Sequence, residues 1–361
     1  MTTAVEQLFL AALALALLLG GWMYLAFRAY RLTGTPPNLV RVRTTDGWEL
    51  ALHHRAAPVR RYREPVVLAH GLGVNHRFMD FEPPWSLAHA LNDAGFDTWS
   101  VDFRGTGGSA RWWKGHHAVD DHIQHDAPAV VEAVCRAAGS ERALWVGHSL
   151  GGLIGLAAAA TGPAGEQLAG VAALGAPVHF GPRPALTRAL WLGRLLSWPL
   201  RLRLEWLTLA AAPVVGRLVL PLSDIVLNPA HVPALVQRRL SSHVLASMSH
   251  GVLRQLAHWM TSGEFTSLDG RVDYRAAVFR LRLPLFFAAG TVDHLAPEAG
   301  VVRAYEACSS PDKALHCFGR AHGQAEDYGH GDLFFGAGAP TEVFPVVQAW
   351  LERHATSTQV E

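Results

Sequence analysis

The fold class the sequence predicts is α/β. The expectation is a mostly parallel sheet with helices on both faces, a helical cap inserted between core strands, and an N-terminal transmembrane helix. Three observations predict it. The stretch Ala143 to Gly155, ALWVGHSLGGLIG, runs from an apolar strand through a glycine-flanked turn into a helix of small and apolar residues. Apolar strands alternate with helices on either side of it, as in a parallel sheet, whose strands are joined by crossover helices. Between Val178 and Leu283 the alternation breaks, and it resumes at Pro284.

The bulk numbers fit one α/β domain with a large insertion. The chain has 361 residues, of which 50% are hydrophobic and 17% charged. That composition supports a large core and argues against disorder. A net charge of +1 gives no electrostatic case for nucleic acid. Cys135, Cys308 and Cys317 show neither metal-ligand spacing nor an even-numbered framework, and read as reduced, mostly buried thiols. Histidine is abundant, with 20 residues. The groups His53-His54, His116-His117 and His122-x-x-His125-Asp126 read as lying in loops or helix starts with no converging carboxylate set. No metal and no other cofactor is therefore expected.

In chain order, Leu8 to Phe27 carries no charged residue and is long enough to span a bilayer. Glu6 precedes it, while Arg28 and Arg31 follow. A secretory signal would carry positive charge before the apolar run and a small-residue cleavage site after it, so residues 1–31 read as an uncleaved anchor. The arginine flank then places the downstream domain in the cytoplasm. Residues 32–39 form a linker, and residues 40–177 the first part of the core. Within it, Val40 to His54 alternates about Asp46-Gly47 and predicts a β-hairpin. Pro65 to Gly73 predicts a buried strand, Trp85 to Ala94 a helix and Gly95 to Asp102 the next strand. Asp102 and Arg104 are expected to pair and pin the following loop. His125 to Gly139 predicts a helix with Asp126 as its N-cap, and Leu168 to Pro177 another strand. Residues 178–283 are the cap. Its Arg183, Arg188, Arg194, Arg201, Arg203 and Arg217 are interleaved with Trp191, Trp198 and Trp206, a mixture suited either to lipid headgroups or to a solvated helix pair. Residues 284–361 complete the core, with strands at Pro284 to Gly290 and Ala314 to Phe318 and a closing helix at Glu342 to His354.

The chemistry centres on Gly147-His148-Ser149-Leu150-Gly151. A G-x-S-x-G turn between strand and helix holds its serine in a strained conformation, with the hydroxyl exposed at the helix N-terminus. Ser149 is thus a candidate nucleophile and the amide of Leu150 a candidate oxyanion donor. The loop after the strand at Pro65 would supply the second donor, from Leu72. His70 reads as a structural hydrogen-bonder. An acid just past a later strand completes such a site, and Asp293 stands there. It would fix the tautomer of a histidine that follows it. Two histidines satisfy that order, His322 and His330. Spacing after the last strand points to the first, and the apolar run and helix after it to the second.

Several segments resemble the α/β-hydrolase fold and, within it, the acid lipase family of gastric and lysosomal type. They are Leu68 to Leu72, Leu87 to Asp102 with Arg104-Gly105, Val252 to Asp269, and Tyr328-Gly329-His330-Gly331-Asp332-Leu333 with Ala339 to Phe344. The resemblance implies that His330 is the catalytic histidine. Three departures stand out: Gly319 to Asp327 reads as an insertion, leucine follows the serine where the family has glutamine, and an anchor precedes the domain. Substrate and pH optimum are therefore not carried over. The expectation is a membrane-anchored serine hydrolase of lipophilic carboxylic esters, with membrane lipids as its surroundings and no nucleic-acid partner. Alternatives are an acyltransferase or thioesterase using the same triad, and a non-catalytic membrane scaffold.

Overall fold

The computed structural model describes residues 4–109, 116–181, 187–188, 204–217, 226–228 and 230–358. Eight strands form one sheet: β1 (Asn38–Arg43), β2 (Glu49–Arg55), β3 (Val66–Ala69), β4 (Thr98–Asp102), β5 (Ala143–His148), β6 (Leu168–Leu174), β7 (Leu285–Gly290) and β8 (Lys313–Phe318). Their spatial order is β1-β2-β4-β3-β5-β6-β7-β8. The hairpin β1–β2 is antiparallel, as is β2 on β4, and every pair from β4 to β8 is parallel.

The parallel strands are apolar without alternation because both faces of the sheet are covered. Ala143 and Trp145 of β5 pack with Val67 and Ala69 on one face. Leu144 and Val146 pack with Val66 and Leu68 on the other. Helices α1 (Ala4–Ala29), α2 (Leu87–Asp93), α3 (Ala127–Ala138) and α4 (Leu150–Thr161) precede the cap region. Within that region lie α5 (Leu204–Ala211), α6 (Ala234–His243), α7 (His250–Ser262) and α8 (Tyr274–Phe279), and its described residues add only isolated bridges to the β-structure. Helices α9 (Glu298–Ala307) and α10 (Phe344–His354) complete the second part of the core. Arg183, Arg194, Arg201, Arg203, Trp191 and Trp198 lie outside the described residues.

Three local expectations are corrected. Asp126 is not an N-cap: it has helical dihedrals inside a continuous run from Val119, and its carboxylate binds Arg104 and His122. Asp102 does not pair with Arg104. It accepts hydrogen bonds from His53 Nε2 at 2.9 Å, His76 Nδ1 at 3.0 Å and the amides of His76 and Gly108. Arg104 instead bridges Asp126 and Asp46, at 2.6 and 2.7 Å. The histidine groups do meet carboxylates. His53, which lies in strand β2, joins His76 on Asp102, and His125 approaches Asp46 and Asp121.

Candidate active site

The turn between β5 and α4 explains its own glycines. Ser149 has φ 54° and ψ −119°, and among the described residues it is the one non-glycine with positive φ. Such a conformation persists only where the surroundings over-determine it. Here the Ser149 amide donates to the Leu174 carbonyl at the end of β6 (2.8 Å), and its carbonyl accepts from Gly152 and Leu153. A Cβ on Gly147 would lie 2.3 Å from the Gly151 carbonyl oxygen, and one on Gly151 would lie 2.3 Å from that of Ala69. Trp145 locks the helix start from below, its indole donating to the Gly151 carbonyl at 3.0 Å.

The loop after β3 crosses directly over this turn. A Cβ on Gly71 would lie 3.1 Å from Ser149 Cβ and 3.2 Å from His148 Nδ1, so a side chain there would crowd the turn. His70 braces that loop, with Nδ1 donating to the Gly71 carbonyl at 2.8 Å and Nε2 facing Thr106 Oγ1 at 3.2 Å. Burial pushes its pKa down to about 4, which keeps the ring neutral. Among the described residues the Leu72 amide has no hydrogen-bond partner. Leu150 opens α4, where backbone amides lack intrahelical acceptors. These two amides are what an oxyanion site requires. Leu72 and Leu150 also line a small cavity with His70, His117 and Met248.

Asp293 and His330 meet at the same end of the sheet. His330 Nδ1 lies 2.8 Å from Asp293 Oδ2, and both side chains are buried. Since the carboxylate only accepts, Nδ1 carries a proton and Nε2 is the nitrogen left for proton transfer. The other carboxylate oxygen of Asp293 accepts from the amides of Leu295 and Ala296, each at 2.7 Å. Burial alone would raise the Asp293 pKa. The charge and hydrogen bond of His330, helped by those two amides, outweigh it and hold the carboxyl below its ordinary value. Gly175, at φ +59°, makes the passage. A Cβ there would lie 3.3 Å from the His330 ring and 3.4 Å from Asp293 Oδ2.

The second candidate histidine is elsewhere. His322 sits on a single turn (Arg320–His322), its side chain 40% exposed, with Nε2 at 2.9 Å from Glu298 Oε1. Asp293 therefore pairs with His330 and not His322. Among the described residues the Ser149 hydroxyl makes no hydrogen bond to His330, a contact that tightens in many hydrolases only when substrate is bound.

Three supporting residues were not anticipated from sequence. His148 donates from Nε2 to the His330 carbonyl at 3.0 Å, and burial holds it neutral, far below the usual histidine range. Asp332 accepts the Gly329 amide at 2.8 Å and the Asn228 amide at 2.8 Å, shaping the loop that carries His330. Gly175 had one visible signal, a glycine directly after an apolar strand. Donor atoms of His53, His76 and Asp102, and of Glu298, Cys317 and His322, lie within 4.8 Å of one another. In the first group the carboxylate is already saturated by two rings and two amides, which reads as a structural knot tying β2, β4 and the His76 turn.

Comparison with known proteins agrees with this architecture. A family model described as the alpha/beta hydrolase fold matches residues 64–337, and the chain belongs to that family. It is 30% identical to the gastric triacylglycerol lipase of Bos taurus over 146 residues, 36% of each protein. The match thus spans about a third of that relative's length. Triacylglycerol lipase 2 of Arabidopsis thaliana is 24% identical over 332 residues, covering 81% of this chain and 77% of the relative. Among solved structures, a monoacylglycerol lipase from Paleococcus ferrophilus superposes with a TM-score of 0.57 at 22% identity, covering 84% of this chain and 99% of that one. A soluble variant of the Saccharomyces cerevisiae monoglyceride lipase superposes with a TM-score of 0.60 at 19% identity, covering 91% and 98%.

Proposed function

We propose that this α/β-hydrolase family member is a membrane-anchored serine hydrolase of lipophilic carboxylic esters. Ser149 is the nucleophile, His330 the general base, and Asp293 the group that orients and stabilises His330. The observation that carries the reading is the pairing of a strained, glycine-flanked Ser149 with a buried Asp293–His330 hydrogen bond at the same end of one sheet. His330 Nε2 takes the Ser149 proton as Oγ attacks the ester carbonyl. The amides of Leu72 and Leu150 stabilise the oxyanion, and His330 returns the proton to the departing alcohol. Water, deprotonated by His330, then releases the acid and restores the serine.

The lipophilic substrate class is supported by the lipase relatives and by the apolar N-terminal helix. Helix α1 has a mean hydropathy of 2.2 across an 18-residue window, and none of that window is buried. Its last turns pack on the domain, Ala26 being buried, which favours a retained anchor over a cleaved leader. The arginines after it favour a cytoplasmic domain. The test is hydrolysis of p-nitrophenyl esters from acetate to palmitate by detergent-purified full chain. Activity should rise toward long acyl chains, vanish in Ser149→Ala and His330→Ala, and persist in His322→Ala. Retention of activity in His330→Ala would overturn the assignment.

A further inference from the structure

Helix α1 is not an independent tether. From Ala4 to Trp22 every described residue is exposed, and the C-terminal third of the helix packs on the domain. There the Trp22 indole donates to the Ala210 carbonyl at 2.9 Å, on α5. The Phe27 ring meets the His243 ring at 4.5 Å, on α6. Just beyond, Thr33 donates from its amide and hydroxyl to Glu82, which also pairs with Arg239 of α6. The anchor is thus joined to both cap helices, which pack on each other.

Length fixes where that junction lies. The exposed stretch Ala4 to Gly21 extends about 27 Å at about 1.5 Å per residue, close to the hydrocarbon thickness of a bilayer, about 30 Å. Trp22, Tyr24, Arg28 and Arg31 then follow, aromatic and basic residues of the kind that settle at headgroup level. Helix α5, bonded to Trp22, must sit at the same level. Its outward face is apolar where solvent would call for polar groups. Trp206 is 55% exposed, Leu207 53% and, after the helix, Val214 40%.

We propose that this face of the cap, with Trp206, Leu207 and Val214 at its centre, is seated in the interfacial layer of the bilayer that α1 spans. The occupant is lipid, and the observation that selects it is continuity with the anchor through Trp22 and Ala210. The inference rests on the reading of α1 as a retained anchor. It adds that the cap is held against the leaflet from which an acyl substrate would be drawn.

The experiment uses the full chain with Cys317→Ser, reconstituted in vesicles of phosphatidylcholine and phosphatidylglycerol. An environment-sensitive fluorophore is attached at Trp206→Cys, at Leu207→Cys, or at Val59→Cys. Val59 is 61% exposed and lies near Gly95 and Asp97, by the strand starts, away from the cap. Lipid-borne nitroxides should quench the label at 206 and 207 and leave the label at 59 unaffected. Flotation in carbonate, run alongside, separates the two layers of the argument. Protein that floats while the labels at 206 and 207 stay unquenched overturns this proposal alone. Protein that fails to float overturns the anchor and this proposal together.

Discussion

Mild acid should destabilise this protein, and the structure gives the size of the effect. His70 and His117 are buried beside the loop that carries Leu72. Burial pushes them down to about 4 and about 3, and for His117 the charge of Arg104 and the neighbouring His122 add to it. Both are neutral in the fold, whereas in the unfolded chain they take up protons as the pH falls through 6.5. Below that value the unfolded state binds more protons, so stability falls with falling pH. At pH 5 the solution lies about 1.5 units below the unfolded value of each ring while the folded rings stay neutral, a cost of about 2 kcal/mol each at about 1.4 kcal/mol per unit. Asp332 acts in the opposite sense. Burial raises it to about 6, so its protonation in the fold offsets about 1 kcal/mol by pH 5. For these three groups the net loss is about 3 kcal/mol between pH 7.5 and pH 5, or a fall in Tm of about 4 °C for a domain of this size. Calorimetry of the detergent-purified chain across that range would measure it, and His117→Phe should reduce the slope. A Tm that stays flat or rises toward pH 5 would refute the reasoning.

Three further predictions test the parts of the site. Gly151→Ala would bring a methyl group against the Ala69 carbonyl, at 2.3 Å before relaxation, and should cost about 3 kcal/mol in chemical denaturation, with hydrolysis lost. Asp293→Asn should leave the fold intact and lower kcat by about 10⁴-fold, because the amide no longer imposes the Nδ1–H tautomer on His330; a loss under tenfold would deny Asp293 its role. Arg104→Met removes one of the two side-chain partners of Asp126, which is 0% exposed, and should cost about 3 kcal/mol while leaving KM for a soluble ester unchanged.

What the sequence made legible was what is local. The elbow could be read directly because its strand, turn and helix are contiguous in the chain, with Gly147 against Gly151 and Trp145 bonded to Gly151, although Gly151 also makes room for the distant Ala69 carbonyl. The strands could be read because double-sided burial leaves unbroken apolar runs. Pairings across the sheet could not. Asp102 and Arg104 are neighbours in sequence, yet a residue and its next but one on an extended chain have different surroundings once the loop turns. One found histidines from β2 and the His76 turn, the other found Asp126 and Asp46. Spacing pointed to His322, which follows β8 more closely than His330 does. Only the turn at Arg320–His322 and the bond to Glu298 show that His322 faces outward. The docking of α1 on the cap had no signature in sequence, since Trp22 and Phe27 look the same in a free anchor and in a packed one.

The most direct test of the central claim is to label the folded, detergent-solubilised chain with a fluorophosphonate probe and map the adduct by mass spectrometry. The account predicts one adduct, on Ser149. It should be absent from Ser149→Ala, lost from His330→Ala and retained in His322→Ala. An unlabelled chain, an adduct on another serine, or labelling that survives Ser149→Ala would contradict it.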